Sequence, residues 1–179
     1  RLPDLRLTQI YGQSEMGVIT ALRHWYLPEK LGSVGRQAYN VDIRVVDPEG
    51  RDVAPGEIGE IVSHGDNLMM EYYDEPEQTR AFFKLGDGWG WSGDVATIDG
   101  EGFIRLVDRS KDMMISGGEN VYCAEVENVI SAHPAIKDCA LIGIPHEKWG
   151  EAVHAVLVLM DGQSVTAREL IDHCKTRIA

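Results

Sequence analysis

The spacing of apolar residues changes near residue 109, and this change limits the chain to an α+β fold with two parts. Before it, residues 41–47 (VDIRVVD) and 57–65 (EIGEIVSHG) alternate between apolar and polar side chains, as strands with one solvated face do. The segment DGEG separates two further predicted strands, 91–98 and 102–107, and is a strong hairpin signal. The first part of the chain is therefore predicted to be rich in antiparallel strands.

Helical spacing appears after the change. Residues 121–133 (VYCAEVENVISAH) place apolar side chains at helical intervals, and the apolar segments 138–145 and 151–160 are typical of buried strands. A last helix is predicted to start at Thr166, where Glu169 completes a capping box. The residues that this helix is predicted to bury are Leu170, Ile171, Cys174 and Ile178. The second part therefore has the order α-β-β-α.

The charge balance argues against partners that carry negative charge. The chain has 29 acidic and 17 basic residues, which give a formal net charge of -12. Such a surface repels the phosphate backbone of nucleic acids and anionic lipid headgroups. We therefore expect neither a nucleic acid nor an anionic membrane surface as a partner.

The cysteine pattern and the hydropathy indicate a cytoplasmic protein. The three cysteines, Cys123, Cys139 and Cys174, lack CxxC spacing, which favours buried thiols over a disulfide framework or a zinc site. No apolar segment approaches the roughly 18 residues that a membrane helix needs. We therefore expect no integral membrane segment.

Both ends of the chain suggest that it belongs to a longer protein. The segment LRLTQIYG is predicted to be a strand with no partner before it, and TARELIDHCKTRIA is a helix that continues without a glycine stop. We therefore expect the 179 residues to be a fragment.

The segment YGQSEMG, residues 11–17, places a hydroxyl beside a carboxylate. Ser14 can donate to a phosphate oxygen, and Glu15 can hold Mg²⁺, which usually rests on one or two carboxylates plus phosphate oxygens. On spacing alone, a plain turn with both side chains in water is the favoured interpretation. A hydrolase is disfavoured because Met16 replaces the second glycine of a Gly-x-Ser-x-Gly nucleophile elbow.

Two later segments leave a similar choice open. In WGWSGDV, residues 89–95, Asp94 can accept from both hydroxyls of a ribose or can simply cap a turn. In DRSKDMMISGGENVY, residues 108–122, Arg109 can donate two hydrogen bonds to phosphate or ribose oxygens. Alternatively, it can form an exposed ion pair that adds little stability. The paired glycines that follow leave a gap beside bare backbone, or form an ordinary turn.

Taken in series, these segments resemble the motifs of the acyl-adenylate-forming superfamily, which includes acyl-CoA synthetases, luciferases and peptide-synthetase adenylation domains. YGQSE resembles the Tyr-Gly-x-Thr-Glu motif and WSGD the Thr-Gly-Asp motif, each with Ser in place of Thr. DRSKDMMISGGENVYCAEVE resembles the hinge motif, and PHEKWGEAVHAVLVL the hairpin that follows it in acyl-CoA synthetases. The resemblance implies a distorted β-barrel or sheet at the end of a large AMP-binding domain, residues 1–108, and a small, incomplete, mobile α/β domain, residues 109–179.

The resemblance assigns the first motif to the nucleotide and its metal ion. It implies that Tyr11 stacks near adenine and that Gly12 and Gln13 line the nucleotide cleft. Ser14 would meet the α-phosphate of ATP or AMP, and Glu15 would bind Mg²⁺. Ser14 and Glu15 are therefore expected to act in catalysis.

The same resemblance assigns the later motifs to the sugar, the hinge and the acceptor. Asp94 would hold the ribose hydroxyls, and Arg109 would reach the ribose or phosphate. Lys111 falls on the position at which the family's small domain pivots. Gly117 and Gly118 would line the tunnel for the pantetheine arm of coenzyme A.

The implied activity is that of an ATP-dependent acid–CoA ligase acting on a fatty or aromatic carboxylic acid, and a homodimer is compatible with it. The family's phosphate loop and its adenylation lysine have no counterpart in this sequence, so we expect the 179 residues alone to be inactive. Two alternatives stay open: an adenylation domain with another acceptor, such as a carrier protein or a luciferase-like reaction, and a non-catalytic nucleotide-binding or interaction module.

Overall fold

The computed structural model describes residues 5–178 and contains two compact units. The first unit ends at Ser110, and the second begins at Lys111. Three sheets, of three, four and four strands, supply most of the regular structure. Each unit has its own hydrophobic core.

The first unit opens with a small antiparallel sheet. Its β1–β2 pairing contains a register shift between Tyr11 and Gly12. A Cβ added at Gly12 would lie 1.8 Å from the backbone oxygen of Gly17, so the two strands approach too closely there for any side chain. The strands, in spatial order, are β1 (Thr8–Gln13), β2 (Gly17–Arg23) and β3 (Arg36–Gln37).

A four-stranded antiparallel meander forms the rest of this unit, as the alternating pattern predicts. One short helix, α1 (Pro76–Phe82), lies between its second and third strands and buries Phe82 in the core. In chain order and in spatial order alike, the strands are β4 (Asp42–Val46), β5 (Ile58–His64), β6 (Gly90–Ile98) and β7 (Ile104–Arg109).

The core of the first unit is built from the apolar faces of both sheets. Met16, Ile19 and Ile61 are fully buried, and Ile104 is almost fully buried. The sequence predicted either a distorted β-barrel or a sheet for this unit. Within residues 5–178 neither sheet closes into a barrel, so the unit contains open sheets.

The second unit packs helices on a four-stranded antiparallel sheet. A β8–β9 hairpin precedes the first helix, which begins at Cys123 rather than at Val121 because Val121 is already paired with Met114. The elements are β8 (Met114–Ser116), β9 (Glu119–Val121), α2 (Cys123–Ser131), β10 (Ile136–His146), β11 (Gly150–Leu159) and α3 (Ala167–Lys175). The spatial strand order is β10-β11-β8-β9.

The predicted capping box at the start of α3 is present. The Thr166 hydroxyl accepts from the Glu169 N–H at 3.3 Å, and the Glu169 carboxylate accepts from the Thr166 N–H at 2.8 Å. Leu170 is buried as predicted. The prediction for Ile171 is wrong: its side chain is 53% exposed, because it lies outside the face that α3 presents to the core.

The prediction that β10 and β11 are buried strands is half wrong. They pair over their full length, and Leu141 and Ala155 pack into the core beneath the helices. Ile142 and Val156 point to the opposite face and are about half exposed, at 47% and 51%. Alternation along the pair therefore leaves one apolar face of the hairpin open. Across the described part of the chain, no helix has the length and apolar character required to cross a bilayer.

Candidate nucleotide-binding site

Three of the predicted site residues meet in the first unit. The Tyr11 hydroxyl, on β1, donates a hydrogen bond of 2.6 Å to Asp94 Oδ2, on β6, although the two residues are 83 positions apart. Burial of the ring, and then this hydrogen bond, raise the pKa of Tyr11 well above its ordinary value. The phenol therefore stays protonated at neutral pH and holds the carboxylate in one orientation.

Arg109 reaches the same carboxylate from the neighbouring strand. Asp94 and Arg109 are direct partners in the β6–β7 pairing, which places Arg109 Nε 3.8 Å from Asp94 Oδ1. The Arg109 side chain is 75% exposed, whereas that of Asp94 is 19% exposed. An ion pair of this length and exposure contributes little to stability, so the guanidinium is available to bind another anion.

The part of β6 that carries Asp94 is held in place by neighbouring residues for which the sequence predicted no individual role. The Asp94 N–H donates to Ser92 Oγ at 3.0 Å, and the Gly93 N–H donates to Glu60 Oε1 at 2.9 Å. Ser110, which follows the end of β7, donates its N–H to the Gly93 carbonyl at 2.8 Å. Burial raises the pKa of Glu60, although the bond from Gly93 opposes this. These contacts hold the Asp94 backbone beside Tyr11.

The turn after β1 carries the predicted phosphate and metal residues. Ser14 is exposed, and within residues 5–178 its hydroxyl has no hydrogen-bond partner. The Glu15 carboxylate accepts from the Tyr72 hydroxyl through Oε1, at 2.8 Å. Burial, and then the bond to Glu15, raise the pKa of Tyr72 to about 12. Both Ser14 and Glu15 therefore retain polar atoms that can face a ligand.

Glu15 has the properties expected of a metal ligand that works together with phosphate. Its Oε2 atom has no hydrogen-bond or ion-pair partner in the described range. The described residues contain no group of three or more His, Cys, Asp or Glu side chains that could hold a metal ion by themselves. A single carboxylate of this kind suits Mg²⁺, which dehydrates reluctantly and takes further ligands from phosphates and water.

The structure does not bring all the predicted residues into one network. Along residues 5–178, no hydrogen bond or ion pair joins Ser14 or Glu15 to Asp94 or Arg109. Glu15 is tied to the segment before α1 through Tyr72 instead. The sequence could not identify this tyrosine, because Tyr72 and Tyr73 are adjacent and only the fold distinguishes them.

The predicted residues of the second unit lie on its first hairpin and just before it. Lys111 is exposed, and it has no ion-pair partner in the described part of the chain. Gly117 and Gly118 form the β8–β9 turn with positive φ values of 63° and 89°. The Gly117 N–H donates to the Trp149 carbonyl at 2.9 Å, and a Cβ at Gly117 would lie 2.7 Å from the Trp149 ring. The first glycine is therefore held against an aromatic side chain.

Two family models match the chain. The model described as AMP-binding enzyme matches residues 1–73, and the model described as AMP-binding enzyme C-terminal domain matches residues 125–179. A feruloyl-CoA synthase from Amycolatopsis sp is 46% identical over 98% of this chain, and an indoleacetate–CoA ligase from Aromatoleum aromaticum is 40% identical over 97%. The chain spans about a third of the length of these relatives, 35% and 34% respectively.

The fold of the chain also matches a solved ligase. The o-succinylbenzoate CoA synthetase from Bacillus subtilis, in complex with its acyl-adenylate intermediate, aligns with a TM-score of 0.87 and 39% identity. That alignment covers 97% of this chain and 35% of the solved one. Sequence and fold agree, and the chain belongs to the acyl-adenylate-forming superfamily of AMP-binding enzymes.

Proposed function

We propose that this chain forms the ribose-binding and metal-binding parts of an ATP-dependent acid–CoA ligase, together with most of its C-terminal domain. The observation that carries the proposal is the meeting of Tyr11, Asp94 and Arg109, which come from three strands of the first unit. A fixed carboxylate beside an exposed guanidinium suits a nucleotide, whose sugar offers hydroxyl donors and whose phosphates carry negative charge.

Asp94 is proposed to accept hydrogen bonds from both ribose hydroxyls. Each oxygen of an ionised carboxylate can accept about two hydrogen bonds, so the one bond from Tyr11 and the contact with Arg109 leave capacity for a ligand. Tyr11 would lie near the adenine ring, and Gly12 and Gln13 would line the cleft. Gly12 also has a structural role, because the backbone of Gly17 lies too close to it for any side chain to fit.

The chemistry proposed for the complete enzyme has two steps. A substrate carboxylate attacks the α-phosphorus of ATP, so that an acyl–phosphate bond forms as the bond to pyrophosphate breaks. The thiol of coenzyme A then attacks the acyl carbon, and AMP leaves. Ser14 and Arg109 would donate to the phosphate oxygens on which negative charge increases in the first step.

Glu15 is the residue proposed to hold the magnesium ion, which when bound would neutralise phosphate charge. Its unpartnered Oε2 atom supports this assignment. A Bacillus subtilis o-succinylbenzoate CoA synthetase that aligns with this chain at a TM-score of 0.84 was solved with ATP and a magnesium ion. That finding concerns the relative, and the role of Glu15 here is a proposal.

The second unit is proposed to deliver coenzyme A. Lys111, the first residue of that unit, would act as the hinge, and the bare backbone of Gly117 and Gly118 would line the passage for the pantetheine arm. Glycine suits such a passage because it adds no side chain. The domain boundary and the hinge both stay predictions.

The acid is proposed to be a fatty or aromatic carboxylic acid. Feruloyl-CoA synthase and indoleacetate–CoA ligase are both named for aromatic acids, and they match almost the whole of this chain. The test is to express the complete reading frame and to measure the release of pyrophosphate and of AMP with a panel of aromatic and fatty acids, in the presence and absence of CoA.

The expected result is pyrophosphate release that requires an acid and Mg-ATP, with AMP and a CoA thioester formed when CoA is added. A protein that releases pyrophosphate but passes the acyl group only to an acceptor other than CoA would overturn the ligase assignment and keep the adenylation. Absence of acid-dependent pyrophosphate release across the whole panel would overturn both.

A further inference from the structure

The Glu15 carboxylate is held by a residue far from it in sequence. Tyr72 lies 57 positions later, in the segment between β5 and α1, and its hydroxyl donates to Glu15 Oε1 at 2.8 Å. The Tyr72 side chain is half-buried, so this bond is partly shielded from competing water. A bond between a hydroxyl and a carboxylate is charge-assisted and therefore stronger than a neutral one.

Tyr72 is itself fixed by the start of α1. Its N–H donates to Thr79 Oγ1 at 3.0 Å, and the Thr79 hydroxyl donates to the Glu75 carbonyl at 3.0 Å. The Tyr72 ring meets the buried ring of Phe82 edge-on, with their centroids 6.2 Å apart. The phenol therefore has little freedom to turn away from Glu15.

The same segment also holds the backbone around Glu15. The Met69 N–H donates to the Glu15 carbonyl at 2.7 Å, and the Asn67 side-chain amide donates to the Met16 carbonyl. Main chain and side chain of Glu15 are thus tied to one segment, residues 67–72. Only the Oε2 side of the carboxylate is left without a partner in the described range.

We propose that Tyr72 is a positioning residue that fixes Glu15 so that Oε2 faces the metal ion of Mg-ATP. The inference rests on the proposed function of Glu15 and adds the residue that orients it. Groups that hydrogen-bond to a metal ligand fix its orientation, and their loss typically costs about 10- to 100-fold in metal affinity or activity.

The test is equilibrium binding of ATP to the complete protein by calorimetry, with Mg²⁺ and with EDTA, in wild type, Tyr72→Phe and Tyr73→Phe. Tyr72→Phe keeps the ring against Phe82 and removes only the donor. Tyr73→Phe is the matched control, because Tyr73 is the neighbouring residue and its side chain is 97% exposed. Thermal unfolding of each variant checks that the fold is retained.

The expected result is that Tyr72→Phe reduces the gain in ATP affinity caused by Mg²⁺ by roughly tenfold and leaves metal-free ATP binding unchanged. Tyr73→Phe should behave as wild type. In a Glu15→Gln background, Tyr72→Phe should have no further effect, because the two residues act as one unit.

Three outcomes would overturn the inference, and they are distinguishable. Retention of the full Mg²⁺-dependent gain by Tyr72→Phe would overturn the positioning role and leave Glu15 as the ligand. An equal loss with and without Mg²⁺ would indicate a general structural role for Tyr72. A wild-type protein whose ATP affinity does not respond to Mg²⁺ would overturn the proposed metal role of Glu15 itself.

Discussion

At the scale of single residues, the candidate site depends on one short hydrogen bond. Tyr11 and Asp94 come from different sheets, and the 2.6 Å bond between them brings the first and second motifs together. Asp94 is mostly buried, and a buried carboxylate that loses a donor keeps its desolvation cost without compensation. The same bond therefore stabilises the fold and also orients Asp94, the residue proposed to bind the ribose.

Replacing Tyr11 by Phe should lower the free energy of unfolding by about 1–3 kcal/mol, because the donor to a charged, mostly buried acceptor is lost. Urea denaturation of both proteins measures the difference. Tyr39→Phe is the control, since the Tyr39 side chain is 91% exposed and its change should stay within about 0.5 kcal/mol. Equal changes in unfolding free energy for the two substitutions would show that the Tyr11–Asp94 hydrogen bond adds no measurable stability.

At the scale of secondary-structure elements, the turn of the β8–β9 hairpin offers a matched pair of positions. Gly117 and Gly118 both have positive φ, so alanine is strained at either one. They differ in their surroundings, because a Cβ at Gly117 meets the Trp149 ring while nothing lies within 4 Å of a Cβ at Gly118. Alanine at Gly118 therefore introduces backbone strain alone, whereas alanine at Gly117 introduces the same strain and also displaces the Trp149 side chain.

Gly117→Ala should displace the Trp149 ring, and Gly118→Ala should leave it in place. The measurement is the indole N–H resonance of Trp149, assigned by its disappearance in Trp149→Phe. A clear shift in Gly117→Ala alone is the expected result. Equal shifts in the two alanine variants would contradict the contact between the turn and Trp149.

The helix α3 gives a prediction about pH. Hydrogen bonds from the Thr166 N–H and hydroxyl lower the pKa of Glu169 below its ordinary value, although burial opposes this slightly. A carboxyl whose pKa is lower in the folded state adds stability above its unfolded pKa and loses it as the pH falls through the folded pKa. The contribution is therefore present at neutral pH and disappears in acid.

Glu169→Gln should destabilise the protein at pH 7 and have progressively less effect as the pH falls below the ordinary pKa of glutamate. Urea denaturation of both proteins from pH 7 to pH 3 tests this. A difference in unfolding free energy that stays constant over that range would mean that the charge of Glu169 makes no contribution to the cap.

At the scale of the whole molecule, local patterns predicted elements better than they predicted burial. The alternation in residues 41–47 and 57–65 and the DGEG turn correspond to paired strands, since these signals depend on neighbours in sequence. The exposure of Ile171, and of one face of β10 and β11, depends on which side the helices cover, which apolar spacing does not encode. Residues that support the site through the fold, such as Tyr72 and Glu60, carry no local signal either.

The order of three motifs carries the family resemblance, and the matching family models and relatives confirm it. The roles of the individual residues are a separate matter. The meeting of Tyr11, Asp94 and Arg109 supports a shared ligand, and the roles of all the site residues stay predictions. The proposed nucleotide site depends above all on Asp94, which we expect to hold the ribose.

The most direct test is calorimetric binding of AMP and of 2′,3′-dideoxy-AMP to the complete protein, in wild type, Asp94→Asn and the exposed control Asp66→Asn. We expect Asp94→Asn to weaken AMP binding by roughly tenfold or more, because hydrogen bonds to a charged acceptor are lost, and to leave binding of the dideoxy nucleotide nearly unchanged. Asp66→Asn should bind both nucleotides as wild type does. An Asp94→Asn protein that binds AMP as tightly as wild type would show that Asp94 does not hold the ribose.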